Sequence, residues 1–446
     1  MEKNQEAMEK LVSLCKRRGF IYPSSDIYGG LAGVWDFGPL GVELKNNLKN
    51  IWWQMFVRDR EDMYGLDADI LMNPRVWEAS GHVSGFADPL TECQKCHKRF
   101  RADQLEENPS TGSGREKCPE CGGELGPTRQ FNMMFKTQIG AMEDSSSTVY
   151  LRPETAQGIF ANFKNIIDSF HPKLPFGIGQ IGKAFRNEIT PRDFIFRVRE
   201  FEQMEIEYFI RADEWEKHFS AWQQSVHDYI EKVGIAKGKV SELEVSGDDL
   251  AHYSKRTIDF EFDFPFGRKE LFGLAYRTNY DLTKHAEHSG TELFYYDEET
   301  KEKIVPHVIE PSFGVERTIL AVLLSAYRED ELGGETRTYL DFNLAVAPVK
   351  VAVFPLLKNK PELVAKAREI FADLKKKISG QIMFDDNGNI GKRYRRQDEI
   401  GTPYCVTIDF QTLEDEMVTV RDRNSGEQER VKIADLAGRI TSGDLS

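Results

Sequence analysis

Phe185-Arg186-Asn187-Glu188 and Arg197-Val198-Arg199-Glu200-Phe201 stand on either side of a loop that contains Pro191. The aromatic, β-rich runs Phe194-Ile195-Phe196 and Phe201–Phe209 predict strand, loop, strand here. That reading settles the glycines just before it. Gly177-Ile178-Gly179-Gln180-Ile181-Gly182 spells GxGxxG, and Gly177 to Lys183 is one residue short of a P-loop, with Ala184 where Ser or Thr belongs. Both motifs need a helix directly after the last glycine, so that its N-terminus can hold phosphate. Pro191 and the β-rich run exclude such a helix, and the glycines read as a turn entering a strand. The charges on the hairpin leave two readings. Cross-strand ion pairs on a solvated sheet use these residue types. So do arginines aimed at phosphate oxygens.

Working outward, the chain has 446 residues, enough for two to four domains. Lys and Arg number 59 and Asp and Glu 73, a net charge of −14 that argues against indiscriminate coating of nucleic acid but permits one basic face. Twenty-nine Phe, 15 Tyr and 6 Trp exclude disorder as the main state. No run is long and apolar enough to span a membrane, and residues 1–20 lack the apolar region of a secretory signal. Sparse cysteines fit a reducing compartment, so a cytoplasmic protein is expected.

Apolar residues at Leu40, Leu44, Leu48, Ile51, Trp52 and Met55 predict a helix over Leu40–Arg60. Ala68–Met72 reads as a short strand closed by Pro74. Glu214–Val233 has helical periodicity and a polar stretch follows, so 210–256 reads as a helical insertion. Strands are expected at Thr257–Phe264 and Leu271–Arg277, and an amphipathic helix within Pro311–Tyr327. From Lys350 strands alternate with helices, which predicts a separate α/β domain over 346–446. The core is then 1–90 with 126–345, interrupted by a polar segment, 91–125. That segment carries Cys93-x2-Cys96 and Cys118-x2-Cys121, with residues 97–117 between the pairs. This is zinc-ribbon spacing; four thiolates close a tetrahedral shell, so the Zn²⁺ is expected to be structural. Cys15 and Cys405 are isolated and read as buried fillers. His285 and His288 form an HxxH without a third ligand, and read as surface or nucleic-acid-facing residues.

Three features fall in one order: the Leu40–Arg60 helix with its strand, the arginine hairpin, and Gly314-Val315-Glu316-Arg317 opening a helix. They resemble motifs 1, 2 and 3 of the class II aminoacyl-tRNA synthetases, and no HIGH or KMSKS sequence of the other class is present. Ser80-Gly81-His82, Leu151-Arg152-Pro153-Glu154-Thr155-Ala156-Gln157-Gly158 and Ile309-Glu310-Pro311-Ser312-Phe313-Gly314 narrow the resemblance to the single-chain, homodimeric glycyl-tRNA synthetase family. Tyr28-Gly29-Gly30 and Gly391–Glu399 point the same way. The resemblance implies an α+β class II catalytic core, an antiparallel sheet flanked by helices, with a zinc-ribbon-like insertion and a C-terminal anticodon-binding domain. It implies ATP, glycine and tRNA(Gly) as substrates, Mg²⁺, structural Zn²⁺ and a two-fold dimer with the Leu40–Arg60 helix at or near its interface.

The resemblance also assigns residues. Arg186 would hold the α-phosphate and the glycine carboxylate, Glu188 would read the adenine amino group, and Arg197 would reach the γ-phosphate. Phe201 would stack under the adenine and Arg317 cover its other face. The ATP site would draw on Arg186, Asn187, Glu188, Phe196, Arg197, Val198, Arg199, Glu200, Phe201, Glu270, Leu271, Gly314, Val315, Glu316 and Arg317, with Glu270 and Glu316 holding Mg²⁺. Glu154, Glu205 and Glu310 would cup the glycine ammonium, and Ser312 would close the side-chain space. Phe201, Glu202, Gln203, Met204, Pro311, Phe313 and Gly314 would complete that site, together with Arg101, for which a surface arginine is the other reading. Nothing smaller than glycine competes, so no editing domain is expected. Lys392, Arg393, Arg395 and Arg396 would meet tRNA, with Tyr394 free to stack on a base; a solvated charge run is the other reading of that cluster. A synthetase-like accessory protein that binds nucleic acid without aminoacylating is the rival function, but it would be expected to lack the ATP arginines present here.

Overall fold

The computed structural model describes residues 2–107, 117–141, 147–247, 250–251 and 253–445. Parts of two segments read above, 108–116 and 248–249 with 252, lie outside the described residues. A seven-stranded sheet organises the larger part of the chain. Its strands are β1 (Met63–Leu66), β2 (Phe176–Phe185), β3 (Glu200–Ile210), β4 (Val240–Val245), β5 (Arg256–Phe264), β6 (Gly267–Thr278) and β7 (His307–Gly314). Their order is β4-β5-β6-β7-β3-β2-β1, antiparallel except for β1 on β2.

The GxGxxG run lies inside β2, not in a turn before it. A side chain at Gly179 would press on Val57 and Trp52, and one at Gly182 would overlap the Arg152 guanidinium. The glycines therefore serve close packing across the strand. Trp52 belongs to α2 (Pro39–Trp53), the helix after α1 (Glu2–Arg18); α2 buries its Leu44, Leu48 and Trp52 fully against the sheet.

Three sequence expectations need correction. Ala68–Met72 is not a strand; the motif 1 strand is β1. The Arg152 guanidinium takes the Ala68 and Asp69 carbonyls at 2.6 and 3.4 Å, so a side chain occupies groups that a sheet ladder would need. Phe194–Phe196 is a turn, with Asp193 and Phe194 in the left-handed region and Arg192 bridging Arg197. Its apolar residues are still buried: the Phe196 ring packs 5.0 Å from both Phe264 and Phe266. The segment 210–256 is more than the helical insertion read from the sequence, because it joins the main core and the main sheet. Its helix α4 (Trp215–Lys232) puts Phe219, Trp222, Val226, Tyr229 and Ile230 into the main core, and β4 then forms the sheet edge.

Two further helices border the site: α3 (Ala156–Phe170) and α5 (Tyr280–Ser289). The helix after β7, α6 (Val315–Ala326), is buried nearly all round beyond its first turn, where Ile319 to Leu323 are all apolar and inaccessible. Past the hairpin 327–340 comes a second sheet of β8 (Val349–Pro355), β9 (Gln381–Phe384), β10 (Tyr404–Ile408), β11 (Met417–Asp422) and β12 (Gln428–Lys432), in the order β9-β8-β10-β11-β12. Helices α7 (Pro361–Lys377), α8 (Ile390–Ile400) and α9 (Ile433–Ser442) accompany it. A buried clasp ties this sheet to the hairpin. Arg337 donates to Asp330, Asp398 and the carbonyls of Arg423 and Asn424, while Arg421 holds Asp398 through two bonds of 2.8 and 3.0 Å.

Candidate active site

A cavity of about 340 Å³ opens on the face of the sheet where β3, β6 and β7 meet. Sixteen predicted residues line it: Glu154, Arg186, Glu188, Phe196, Arg197, Val198, Phe201, Gln203, Glu205, Glu270, Leu271, Glu310, Ser312, Gly314, Glu316 and Arg317. Strand alternation explains which others do not. On β3, Phe201, Gln203 and Glu205 face the cavity. Met204 is buried in the core, and Glu202 pairs with Lys45 and Lys49 at 2.6 and 2.8 Å. Pro311 and Phe313 are buried for the same reason on β7, and Val315, the first residue of the helix that follows, is a core residue. Glu200 pairs with Lys183. Asn187 gives its backbone N–H to the Met133 carbonyl at 2.7 Å. Arg199 donates to the Ala32 and Glu188 carbonyls, which braces the loops behind the site. Arg101 is held by Asp88 and Asp103 at 2.8 and 2.6 Å, outside the lining.

One half of the cavity is cationic and aromatic. The Arg186 guanidinium lies between the rings of Phe86 and Phe201, 5.4 and 5.3 Å from their centroids, and its Nε donates to the Pro153 carbonyl at 3.1 Å. Its terminal nitrogens have no protein partner among the described residues. Arg317 lies over Phe196 at 4.5 Å and pairs with Glu270 Oε2 at 2.9 Å. Glu188 stands 3.7 Å from Arg197, and its Oε2 is buried without a hydrogen-bond donor. An oxygen in that state fits an incoming N–H. Asp259 also lines the cavity; burial and the charges of Glu270 and Glu261 push its carboxyl up to about 7.

The other half is acidic. Glu205 and Ser312 are direct partners across β3 and β7, so Ser312 Oγ reaches Glu205 Oε1 at 2.9 Å, and Thr155 donates to Glu205 Oε2. Glu310 accepts from Arg277 at 2.7 Å. Glu154 stands 3.4 Å from His82 Nε2, whose Nδ1 is 2.8 Å from Ser80 Oγ. Burial pushes the Glu205 carboxyl up, reinforced by the charge of Glu154. Burial likewise pushes Glu310 up to about 8, and the Arg277 guanidinium only partly offsets it.

Sequence reasoning missed Arg277, Asp281, Glu207 and Gln157. Arg277 and Asp281 form a fully buried two-bond pair, both bonds 2.9 Å. The i, i+4 spacing was a signal, but nothing marked it as internal. Glu207 repeats Glu205 two residues on, which places it on the same strand face. Gln157 Oε1 meets His285 Nε2 at 2.8 Å, so His285 is buried and not a surface residue; its ring helps fix the amide that donates to Glu154 and Asp281.

The four cysteines of the insertion come together. Cys93 and Cys121 Sγ are 3.6 Å apart and Cys96 and Cys118 3.7 Å, close to the roughly 3.8 Å edge of a tetrahedron with 2.3 Å Zn–S bonds. Backbone N–H groups of Lys95 and Cys96 point at Cys93 Sγ at 3.4 and 3.5 Å. The donor set fits zinc. The magnesium pair is less open. Glu316 gives one oxygen to Lys45 at 3.1 Å and the other to the Glu202 N–H at 2.8 Å, so only Glu270 retains an uncommitted oxygen.

The basic cluster on α8 is largely structural. Arg393 is buried and donates to the Pro355, Asp386 and Gly388 carbonyls. Arg395 meets the Leu332 carbonyl and Glu335, both at 3.3 Å, and Arg396 pairs with Asp385. Tyr394 is half-buried, with its hydroxyl on Thr407 at 2.7 Å, the Phe354 ring at 5.7 Å and the Arg421 guanidinium over its face at 4.8 Å. Lys392 alone of the four basic residues is exposed.

Residues 135–326 match the family described as the tRNA synthetase class II core domain (G, H, P, S and T), and residues 350–442 match the anticodon binding domain. The fold resembles the Giardia lamblia prolyl-tRNA synthetase in complex with prolyl-adenylate, with a TM-score of 0.69 over 97% of this chain and 76% of that one, at 14% identity. A seven-stranded sheet bearing that cavity, with these two matches, defines a class II aminoacyl-tRNA synthetase. Glycine–tRNA ligases of Lachnospira eligens and Clostridium acetobutylicum are 53% and 52% identical, each over 97% of this chain and 98% of the relative. The ligase of Thermobifida fusca is 52% identical over 97% of each. The chain belongs to the glycine–tRNA ligase family.

Proposed function

We propose that the cavity joins ATP to glycine and passes the product to tRNA, with the residue roles that follow. The observation that carries this is one cavity with two chemically opposite halves: an arginine with free terminal nitrogens, and an acidic cup closed by the Ser312–Glu205 hydrogen bond. The glycine ammonium is held by Glu205 and Glu310. The Gln203 Oε1, buried without a donor, is a further acceptor. Arg186 spans the glycine carboxylate and the α-phosphate. A carboxylate oxygen attacks phosphorus, an O–P bond forms, and the bond to pyrophosphate breaks. Such a transfer needs alignment and charge neutralisation more than a base. Glu188 accepts from the adenine amino group, Phe201 and Arg317 bracket the ring, and Arg197 faces the outer phosphates. Glu270 would hold Mg²⁺ carried with ATP, and the ion would supply neutralisation of phosphate charge. A hydroxyl of the terminal tRNA ribose then attacks the glycyl carbonyl, and AMP leaves. Amino-acid-dependent ATP–pyrophosphate exchange across all twenty amino acids tests the reading; exchange with another amino acid, and none with glycine, overturns the cup.

We divide the chain into a core of 1–90 with 126–345, a zinc-bearing insertion of 91–125 and an anticodon-binding domain of 346–446. One Zn²⁺ per chain is expected. Cys96→Ser with Cys118→Ser should abolish it, as measured by metal analysis, and an equal zinc content in that variant contradicts the four-thiolate site. We read the protein as a homodimer with α2 near the two-fold axis. Exposed Ile27, Tyr28 and Leu31 just ahead of that helix supply apolar surface. No helix among the described residues is long and apolar enough to cross a membrane; a cytoplasmic site of action is our reading from the sparse cysteines. For tRNA, Lys392 remains the candidate on α8. Lys392→Glu should weaken charging by about fivefold and leave exchange unchanged, the loss expected for one exposed phosphate contact. Equal loss of both steps places Lys392 elsewhere in the mechanism.

A further inference from the structure

Glu207 is the group at the base of the cup that the chemistry above leaves without a task. It follows Glu205 by two residues on β3, shares its face, and is fully buried. Neither of its carboxylate oxygens has a hydrogen-bond partner among the described residues. The register that pairs Glu205 with Ser312 and Tyr208 with Ile309 sets Glu207 across from Glu310. One oxygen from each of Glu205, Glu207 and Glu310 lies within 4.8 Å of the other two. On its other side, β2 offers Ile178, which has nothing to donate.

Six donors around the cup, among the described residues, bond to other carboxylates. Arg277 gives two bonds to Asp281 and one to Glu310. Ser312, Thr155 and Gln203 all serve Glu205, and Gln157 with His82 serves Glu154. An ionised carboxylate with no donor at this depth is strongly disfavoured, whereas a carboxylic acid brings a donor of its own. Burial, and then the facing Glu310, push Glu207 well above the ordinary carboxylate range.

We propose that Glu207 is a positioning residue for glycine recognition: a neutral acid that donates its O–H to Glu310 and so keeps Glu310 an anion turned toward the substrate ammonium. The inference rests on Glu205, Glu310 and Ser312 forming the glycine subsite. A carboxyl kept neutral by an apolar or crowded site can hold a negative partner in place by donating to it. Here the partner would otherwise share Arg277 with Asp281 and be free to take up the proton itself. Neutral Glu207 also removes one charge from a group in which Glu154, Glu205, Glu310 and Asp281 already surround a single guanidinium.

The test uses the full-length enzyme in glycine-dependent pyrophosphate exchange, with Glu207→Leu and Glu207→Gln. Leucine fills the space but removes the donor. It should raise the KM for glycine about 30-fold, the size expected for losing a hydrogen bond to a charged group, with the KM for ATP unchanged. Glutamine keeps a donor and carries no charge, so it should bring the KM for glycine back to within about threefold of native. Glutamine as damaging as leucine would overturn the proposal, because Glu207 would then act through its negative charge. A native KM in the leucine variant would overturn it too. The glutamine result decides even if leucine lowers the thermal midpoint and disturbs ATP binding. Native enzyme that fails with glycine and turns over another amino acid would instead sink the subsite reading, before any variant is made.

Discussion

Arg186→Ala should lower glycine-dependent pyrophosphate exchange by about two to three orders of magnitude, the loss expected for one preorganised charge at a developing anionic centre. Two rings and one carbonyl fix the guanidinium, so it costs little to orient when substrates arrive. Its terminal nitrogens need no rearrangement to meet oxygen. Arg197 is near Glu188 and Arg317 is paired with Glu270, so neither can take over without giving up a partner. Arg186→Lys should recover little. An ammonium cannot span two oxygens and a carbonyl, and it packs poorly between two rings. The fold should be nearly unaffected, because the side chain makes one backbone hydrogen bond and is half-buried. Exchange kinetics with a thermal melt check both parts. A kcat/KM within threefold of native would remove Arg186 from the chemistry.

Arg277→Met should be the most destabilising single change in the core. Arg277 is 2% exposed and is the shared partner of Asp281 and Glu310. Its ring contacts with Tyr253 and Phe160, 3.8 and 5.5 Å from the centroids, are also lost. Removing one partner of a buried ion pair costs about 3–5 kcal/mol, because the charge left behind has no water to turn to. At about 2–4 °C per kcal/mol for a domain of this size, the thermal midpoint should fall by roughly 10 °C. Methionine keeps much of the volume, so packing is not the main loss. Adding Asp281→Leu should restore part of the midpoint, since the orphaned carboxyl goes with it. A fall of under 2 °C in the single variant would show that the carboxyls simply take up protons at little cost.

The class of fold was legible because its three motifs are long, specific runs in a fixed order. No single local pattern carried it. The cavity lining was legible where residues alternate along β3 and β7: Phe201, Gln203 and Glu205 face in, and Glu310 and Ser312 answer from the neighbouring strand. Treating whole runs as site residues overreached, because Met204, Phe313 and Val315 turn into the core. The charge on α8 was misleading for a different reason. Arg393 gives its terminal nitrogens to three carbonyls at full burial, and composition alone cannot separate such an arginine from an exposed one. The edge strand β4, Val240–Val245, was missed because a half-exposed edge tolerates Ser241, Glu242 and Glu244 and so carries a weak apolar signal. Arg277 lay within a predicted strand, yet its partners come from α5 and β7, which only the folded chain brings together.

Arg337 closes on Asp398 and on the turn carbonyls at 423 and 424, Arg423 reaches Asp341, and Arg18 reaches Glu399 on the same helix, α8. A calliper locked at this many points has one opening. These ties connect the second sheet to the hairpin and to the first helix, so a substitution at any of them acts on the separation between the cavity and that sheet without touching a residue at either end.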